Sequence, residues 1–153
     1  LDAASGDLNA DGWPDIVIAT GRVRTSNEHL YLLGAVDLIL MNRGGHFEVQ
    51  RIQPESTKPT YGLSLVDMDA DGRVDIVESV TNSAAIGIAR VLFNRTEAGA
   101  DTPVFEVGAH DYEEGSFGMG AAVADIDQDG FLDIYNTSVL KYVMCATSRT
   151  LGT

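Results

Sequence analysis

GDLNADGWPDIVIAT (6–20), VDMDADGRVDIVESV (66–80) and ADIDQDGFLDIYNTS (124–138) are three versions of one segment. Their leading aspartates, Asp7, Asp67 and Asp125, set periods of 60 and 58 residues. A long fixed period of this kind marks a repeat of structure, in which each unit buries a face against the next. A second echo lies between the first. Leu40-Met41-Asn42-Arg43 is matched by Leu92-Phe93-Asn94-Arg95, and Phe47-Glu48-Val49 by Phe105-Glu106-Val107. Phe47 precedes Asp67 by 20 residues and Phe105 precedes Asp125 by 20, while Gly62 and Gly120 each stand five residues before an acidic segment. The repeat changes length only before Asn42 and between Asn94 and Phe105, where a hairpin tip or connector belongs.

Within the second period the sequence predicts four strands, at about 62–67, 74–81, 88–95 and 103–110. Apolar and β-branched residues fill them, and Gly, Asn, Asp and Pro separate them. Ile16-Val17-Ile18 is apolar at consecutive positions, the pattern of a strand covered on both faces. A four-stranded unit that buries both faces against its neighbours is a propeller blade. The alternative, a β-sandwich, does not repeat its sequence at a long fixed period. The expectation is therefore an all-β chain, a β-propeller segment of four-stranded antiparallel blades with about two and a half blades present. Residues 1–153 form part of one such domain, with repeats at approximately 1–60, 61–118 and an incomplete 119–153. The chain opens almost directly on the first acidic loop with no signal peptide, and reads as a fragment or a processed chain.

Composition narrows the partners. The chain is 44% hydrophobic and 22% charged, as a folded protein is, and its net charge is −13. An acidic surface of this size repels nucleic acid and anionic lipid, and no apolar run is long enough to enter a bilayer. Of the 23 acidic residues, three, four and four fall in the windows 7–15, 67–75 and 125–133, so the charge reads as ligand density.

Each window follows Asp-x-(Asp/Asn)-x-Asp-Gly-x-x-Asp: Asp7, Asn9, Asp11, Asp15; Asp67, Asp69, Asp71, Asp75; Asp125, Asp127, Asp129, Asp133. Alternate placement at positions one, three and five lets a tightly curved backbone aim successive oxygens into one cavity, and the glycine at position six permits the bend. Position seven offers its backbone carbonyl, so Trp13, Arg73 and Phe131 are all tolerated there. Position nine returns a last carboxylate from the start of a strand. An all-oxygen set rich in carboxylate suits Ca²⁺ better than zinc or copper, and about three such sites are expected. The EF-hand shares the first half of the pattern but needs Glu at position twelve and flanking helices. Ile18, Glu78 and Asn136 stand there, and only Glu78 fits.

These residues resemble the FG-GAP/VCBS repeats, known from the integrin α-subunit propeller and from bacterial surface and secreted proteins. The resemblance rests on the acidic loops with their following Asp-Ile/Leu strands. It rests also on the Leu-x-Asn…Phe hairpins (Leu40 to Phe47, Leu92 to Phe105) and on the lead-in Phe117 to Ala122. That lead-in, with Val123-Ala124-Asp125, looks like the cartilage-acidic-protein and UnbV-like branch. The resemblance covers residues 1–138, and implies a loop between the first two strands of each blade that binds Ca²⁺ through the positions named. The lead-in becomes Tyr61-Gly62 before the second loop and is missing before the first. Val139–Thr153 is strand-like but does not align.

No catalytic constellation stands out. His29, His46 and His110 share no spacing and read as surface or turn residues, and Cys145 is alone. Tyr112-Glu113-Glu114 reads as a solvated connector, and Asp37, Glu48 and Glu106 as strand-face charges without special chemistry. Asn94-Arg95-Thr96 and Asn136-Thr137-Ser138 match the glycosylation acceptor pattern, but the repetition of Asn94 at Asn42 points to turn-making. The expected function is a non-enzymatic, calcium-stabilised scaffold of an exported or cell-surface protein. It would meet a protein or glycan ligand, further blades, or neighbouring chains. Two alternatives are a substrate-presenting propeller of a secreted polysaccharide-active enzyme and a structural subunit of an extracellular fibre or sheath.

Overall fold

The computed structural model describes residues 2–26, 29–34, 36–53, 59–81, 87–108, 112–113, 118–138 and 144–146. All regular structure among them is β-strand. The first blade opens with β1 (Ala3–Gly6) and β2 (Asp15–Ile18), which flank the first acidic loop. A separate hairpin, β3 (Gly21–Ser26) and β4 (His29–Gly34), follows before β5 (Leu38–Asn42) and β6 (Phe47–Arg51) complete the sheet in the order β1-β2-β5-β6. The hairpin accounts for the extra length before Asn42. The second blade runs β7 (Thr60–Val66), β8 (Asp75–Thr81), β9 (Gly87–Asn94) and β10 (Phe105–Val107), each antiparallel to the one before. These strands lie within a few residues of those expected from sequence. β11 (Tyr112–Glu113) also pairs β9, so these two residues are strand rather than connector. β12 (Gly118–Ala124), β13 (Asp133–Ser138) and β14 (Met144–Ala146) form the third sheet. His110, Glu114, Phe117 and the rest of 139–153 lie outside the described residues.

Alternation along the strands of the second blade divides its side chains between two neighbours. Leu63, Ile76, Leu92 and Phe105 pack toward the first blade, against Leu8, Val17, Ile39, Met41 and Ile52. Val77, Ala89, Val91 and Phe93 pack the other way, with Ile134 of the third sheet. Every residue of β8 is buried in consequence. The burial takes in the polar residues Asp75, Glu78, Ser79 and Thr81 as well as Ile76, Val77 and Val80.

The second and third blades approach closely at the two lead-in glycines. A Cβ added at Gly62 would lie 2.4 Å from Gly120 Cα and 2.8 Å from the Ala121 nitrogen. The strand register shifts at the same two places, between Thr60 and Gly62 and between Gly118 and Gly120. In the first repeat the equivalent position holds Asp2. Its Oδ2 accepts the Leu63 N–H at 2.9 Å, so a hydrogen bond to the second blade stands where the others have contact of bare backbone.

Candidate metal centres

Each acidic loop joins the first two strands of its sheet, and all three are closed by the same backbone bonds. The position-one carboxylate accepts from the N–H groups of positions five and six: Asp11 (3.1 Å) and Gly12 (2.9 Å) on Asp7, Asp71 (3.1 Å) and Gly72 (2.8 Å) on Asp67, Asp129 (3.1 Å) and Gly130 (3.0 Å) on Asp125. The position-five carboxylate accepts from position seven, so Trp13, Arg73 and Phe131 donate to Asp11, Asp71 and Asp129 at 2.9, 2.9 and 3.0 Å. Gly12, Gly72 and Gly130 take φ of 90°, 87° and 92°, the bend expected of them. Position four is left-handed too, at Ala10 (53°), Ala70 (57°) and Gln128 (60°). Sequence gave no sign of this, because alanine at positive φ is held against its own preference by the surrounding bonds.

The position-nine aspartate is the most deeply set. Asp15, Asp75 and Asp133 are buried. Each accepts the N–H of position two, from Leu8 (2.9 Å), Met68 (2.7 Å) or Ile126 (3.0 Å). The second oxygen of Asp15 takes the Asn42 N–H at 2.8 Å, and that of Asp75 the Asn94 N–H at 2.7 Å. One carboxylate thus ties loop entry, second strand and third strand together. Burial pushes the Asp75 carboxyl up to about 6, with the charges of Asp69 and Asp71 adding to it and the two N–H bonds opposing it. Asp15 moves in the same direction, again chiefly by burial. Desolvation also works on Asp71, but the N–H and guanidinium of Arg73, with Arg95, hold it below the ordinary carboxylate range.

The carboxylate oxygens of Asp67, Asp69 and Asp71 converge within 4.8 Å of one another, as do those of Asp125, Asp127 and Asp133. Position three carries a more specific sign. Asn9 Oδ1 and Asp69 Oδ1 are buried and meet no donor among the described residues. An oxygen withdrawn from water without a partner is costly, by about 1–3 kcal/mol. Both sit at the same point of two loops whose other oxygens are already fixed. Hard oxygen donors, several of them anionic, with one buried and unpartnered, fit a divalent cation of Ca²⁺ size. Asp7, Asn9 and Asp11, Asp67, Asp69 and Asp71, and Asp125, Asp127 and Asp129 would hold it, with the position-seven carbonyls and position-nine carboxylates completing each set.

Residues 7–78 match the model of the FG-GAP-like repeat. The match runs from position one of the first loop to position twelve of the second, one full period and the start of the next. This stretch is an FG-GAP-like repeat. No curated protein matches the sequence. Built of antiparallel sheets, the FG-GAP-like repeat is a propeller scaffold, and Asp67, Asp69 and Asp71 of its second loop form a group able to hold a metal ion.

Several residues of the repeat do more than the sequence indicated. Asn94 is fully buried: its Nδ2 donates to Val74 O (2.9 Å) and, across to the first blade, to Leu8 O (2.7 Å), while its Oδ1 accepts from Thr96 N. A side chain used in this way has no room for a glycan. Asn42 repeats the local part, donating to Pro14 O at 3.1 Å and accepting from Gly45 N at 2.8 Å. Glu48 and Glu106 are exposed strand charges, as expected. Glu48 pairs with Arg43 and Glu106 with Arg95, each carboxylate 3.2 Å from the arginine Nε. Asp37 is buried rather than on a strand face, and accepts from Thr20 N (2.6 Å) and Thr60 Oγ1 (2.5 Å). The extra residues between Asn94 and Phe105 reach over the first loop: Gly99 N donates to Asn9 O at 2.6 Å, and Asn9 Nδ2 to Ala100 O at 2.9 Å. His46 is exposed, as its turn position implied.

Proposed function

We propose that this chain is a calcium-stabilised propeller scaffold of an exported or cell-surface protein, presenting a surface to a protein or glycan ligand or to further blades. The observation that carries the reading is the pair of buried, unpartnered oxygens at Asn9 Oδ1 and Asp69 Oδ1, each at position three of an acidic loop. A cation satisfies them and offsets the repulsion among the aspartates around them. Its role is structural, since the position-nine aspartates begin β2, β8 and β13 and link those strands to the loops. Extracellular calcium is abundant enough to fill weak sites of this kind, which agrees with an exported setting.

The test is calorimetric titration with Ca²⁺, alongside melting in Ca²⁺ and in chelator. A site that binds only the folded form adds about 2.7 kcal/mol at a hundredfold excess over Kd. Chelation, or Asp71→Ala, is expected to lower Tm and to increase proteolytic cutting between residues 67 and 75. No heat and no shift in Tm would refute the reading. An Asp71→Ala variant that melts normally but loses a measurable turnover would replace the scaffold with an enzyme.

A further inference from the structure

The arginine that follows each repeated asparagine reaches back to its own blade's acidic loop. Arg95 NH1 lies 2.9 Å from Asp69 Oδ2 and 2.9 Å from Asp71 Oδ2, both ligand candidates of the second loop. Its Nε is held by Glu106, and its guanidinium carbon sits 5.2 Å from the centroid of the buried Phe93 ring. The group is therefore fixed on three sides rather than loose in solvent. It takes the outer oxygen of Asp69 and leaves the inner one, Oδ1, buried and without a donor. Arg43 occupies the same place in the first blade with the same Nε bond to a glutamate. There Asn9 has removed one charge from the loop, and the arginine stands back. Arg43 NH1 is 4.0 Å from Asp11 Oδ2, while NH2 turns to Asp101 in the second blade. The guanidinium engages fully at the loop with four carboxylates and partly at the loop with three.

We infer that Arg95 is a built-in counter-charge of the second loop, which steadies Asp69 and Asp71 when no cation is present and weakens cation affinity when one binds. The inference rests on the calcium reading. Without a cation, Arg95 lowers the energy of crowded carboxylates. With one, a positive charge faces a divalent positive ion across the same carboxylates. Removing Arg95 therefore costs the metal-free state more than the loaded state, and affinity must rise. A unit charge roughly 6 Å from a divalent one, in a water-like dielectric, changes Kd about tenfold. Glu106 acts with the opposite sign, because it neutralises part of the arginine. A purely packing role predicts neither effect, since it stabilises both states alike and leaves Kd where it was.

Peptide-resolved hydrogen exchange during a Ca²⁺ titration reads the second loop separately, with the midpoint for 67–75 measured against that for 7–15. Arg95→Gln is expected to lower the 67–75 midpoint about tenfold, to leave that of 7–15 unmoved, and to lower Tm in chelator. Arg95→Lys keeps the charge and is expected to stay near the parent midpoint. Glu106→Gln is expected to raise it. A midpoint at 67–75 that is unchanged or higher in Arg95→Gln overturns the inference while the calcium reading stands. Should Arg95→Gln not fold, Glu106→Gln decides: a midpoint that fails to rise overturns it equally. No calcium protection in any loop of the parent protein overturns the inference and the calcium reading together.

Discussion

Replacing Gly62 with alanine tests how the second and third blades are joined. The added methyl would sit 2.4 Å from Gly120 Cα, 2.8 Å from Ala121 N and 2.9 Å from Gly120 C. Ordinary contact begins at 3.4 Å, so β7 and β12 must part by about 1 Å. All three obstacles are backbone, and no rotamer relieves them. Overpacking usually costs about 1–3 kcal/mol, and gaps of 0.5–1 Å forfeit a quarter to a half of each dispersion contact. The contacts at risk are those of Met68, Val77, Val91, Phe93 and Ile134. A loss of about 3 kcal/mol or more is expected, a large share of a total stability of about 5–15 kcal/mol. Gly108→Ala is the control. Its nearest obstacle is a side-chain atom, of the Phe93 ring at 2.9 Å, rather than backbone, so a smaller loss of about 1–2 kcal/mol is expected there. Urea unfolding followed by circular dichroism at fixed Ca²⁺ measures both. If Gly62→Ala costs less than about 1 kcal/mol, or less than Gly108→Ala, then the close approach of the blades is not as described.

Glu78 is buried in β8, and burial, reinforced by the charge of Asp37 and opposed by Arg90 at 2.9 Å, pushes its carboxyl from 4.5 up to about 7. The folded form keeps a proton that the unfolded form releases. Its stabilising contribution is thus full below pH 4.5 and fades as pH rises to about 7, by up to about 3 kcal/mol. Stability measured between pH 5 and 8 should therefore fall less in Glu78→Gln than in the parent, and parallel curves would show that Glu78 does not titrate in this way. Asn94→Ala strips the buried partner from Leu8 O, Val74 O and Thr96 N at once. It is expected to cost about 2–4 kcal/mol in thermal or urea unfolding, and a loss under about 0.5 kcal/mol would mean that these groups find other partners.

Local sequence was enough to place the loops and most of the strands. Every bond that closes an acidic loop spans at most seven residues, so the order of aspartate, glycine and aspartate along the chain carries it. The four strands of the second blade were legible because apolar and β-branched stretches stand between turn-forming residues, whereas the complete burial of Asp75 to Thr81, with Glu78 and Ser79 inside it, was not. The hairpin β3–β4 left only a difference in length, and Tyr112–Glu113 looked like a connector because two polar-seeming residues carry no period. Asp37 was misjudged, and the partners of Glu48 and Glu106 went unseen, for a common reason. A charged side chain in a strand looks the same in sequence whether it meets water or a partner, and their partners are decided by which strands lie side by side. The reach of Asn94 to Leu8, of Ser64 to Ala121 and of Arg43 to Asp101 joins residues 86, 57 and 58 positions apart. Such contacts exist only after the blades have packed. The sequence determined where a cation can be held, since those ligands are neighbours along the chain. Which charges surround that place, and how firmly one blade holds the next, depended on residues brought together from different repeats by burial of their shared apolar faces.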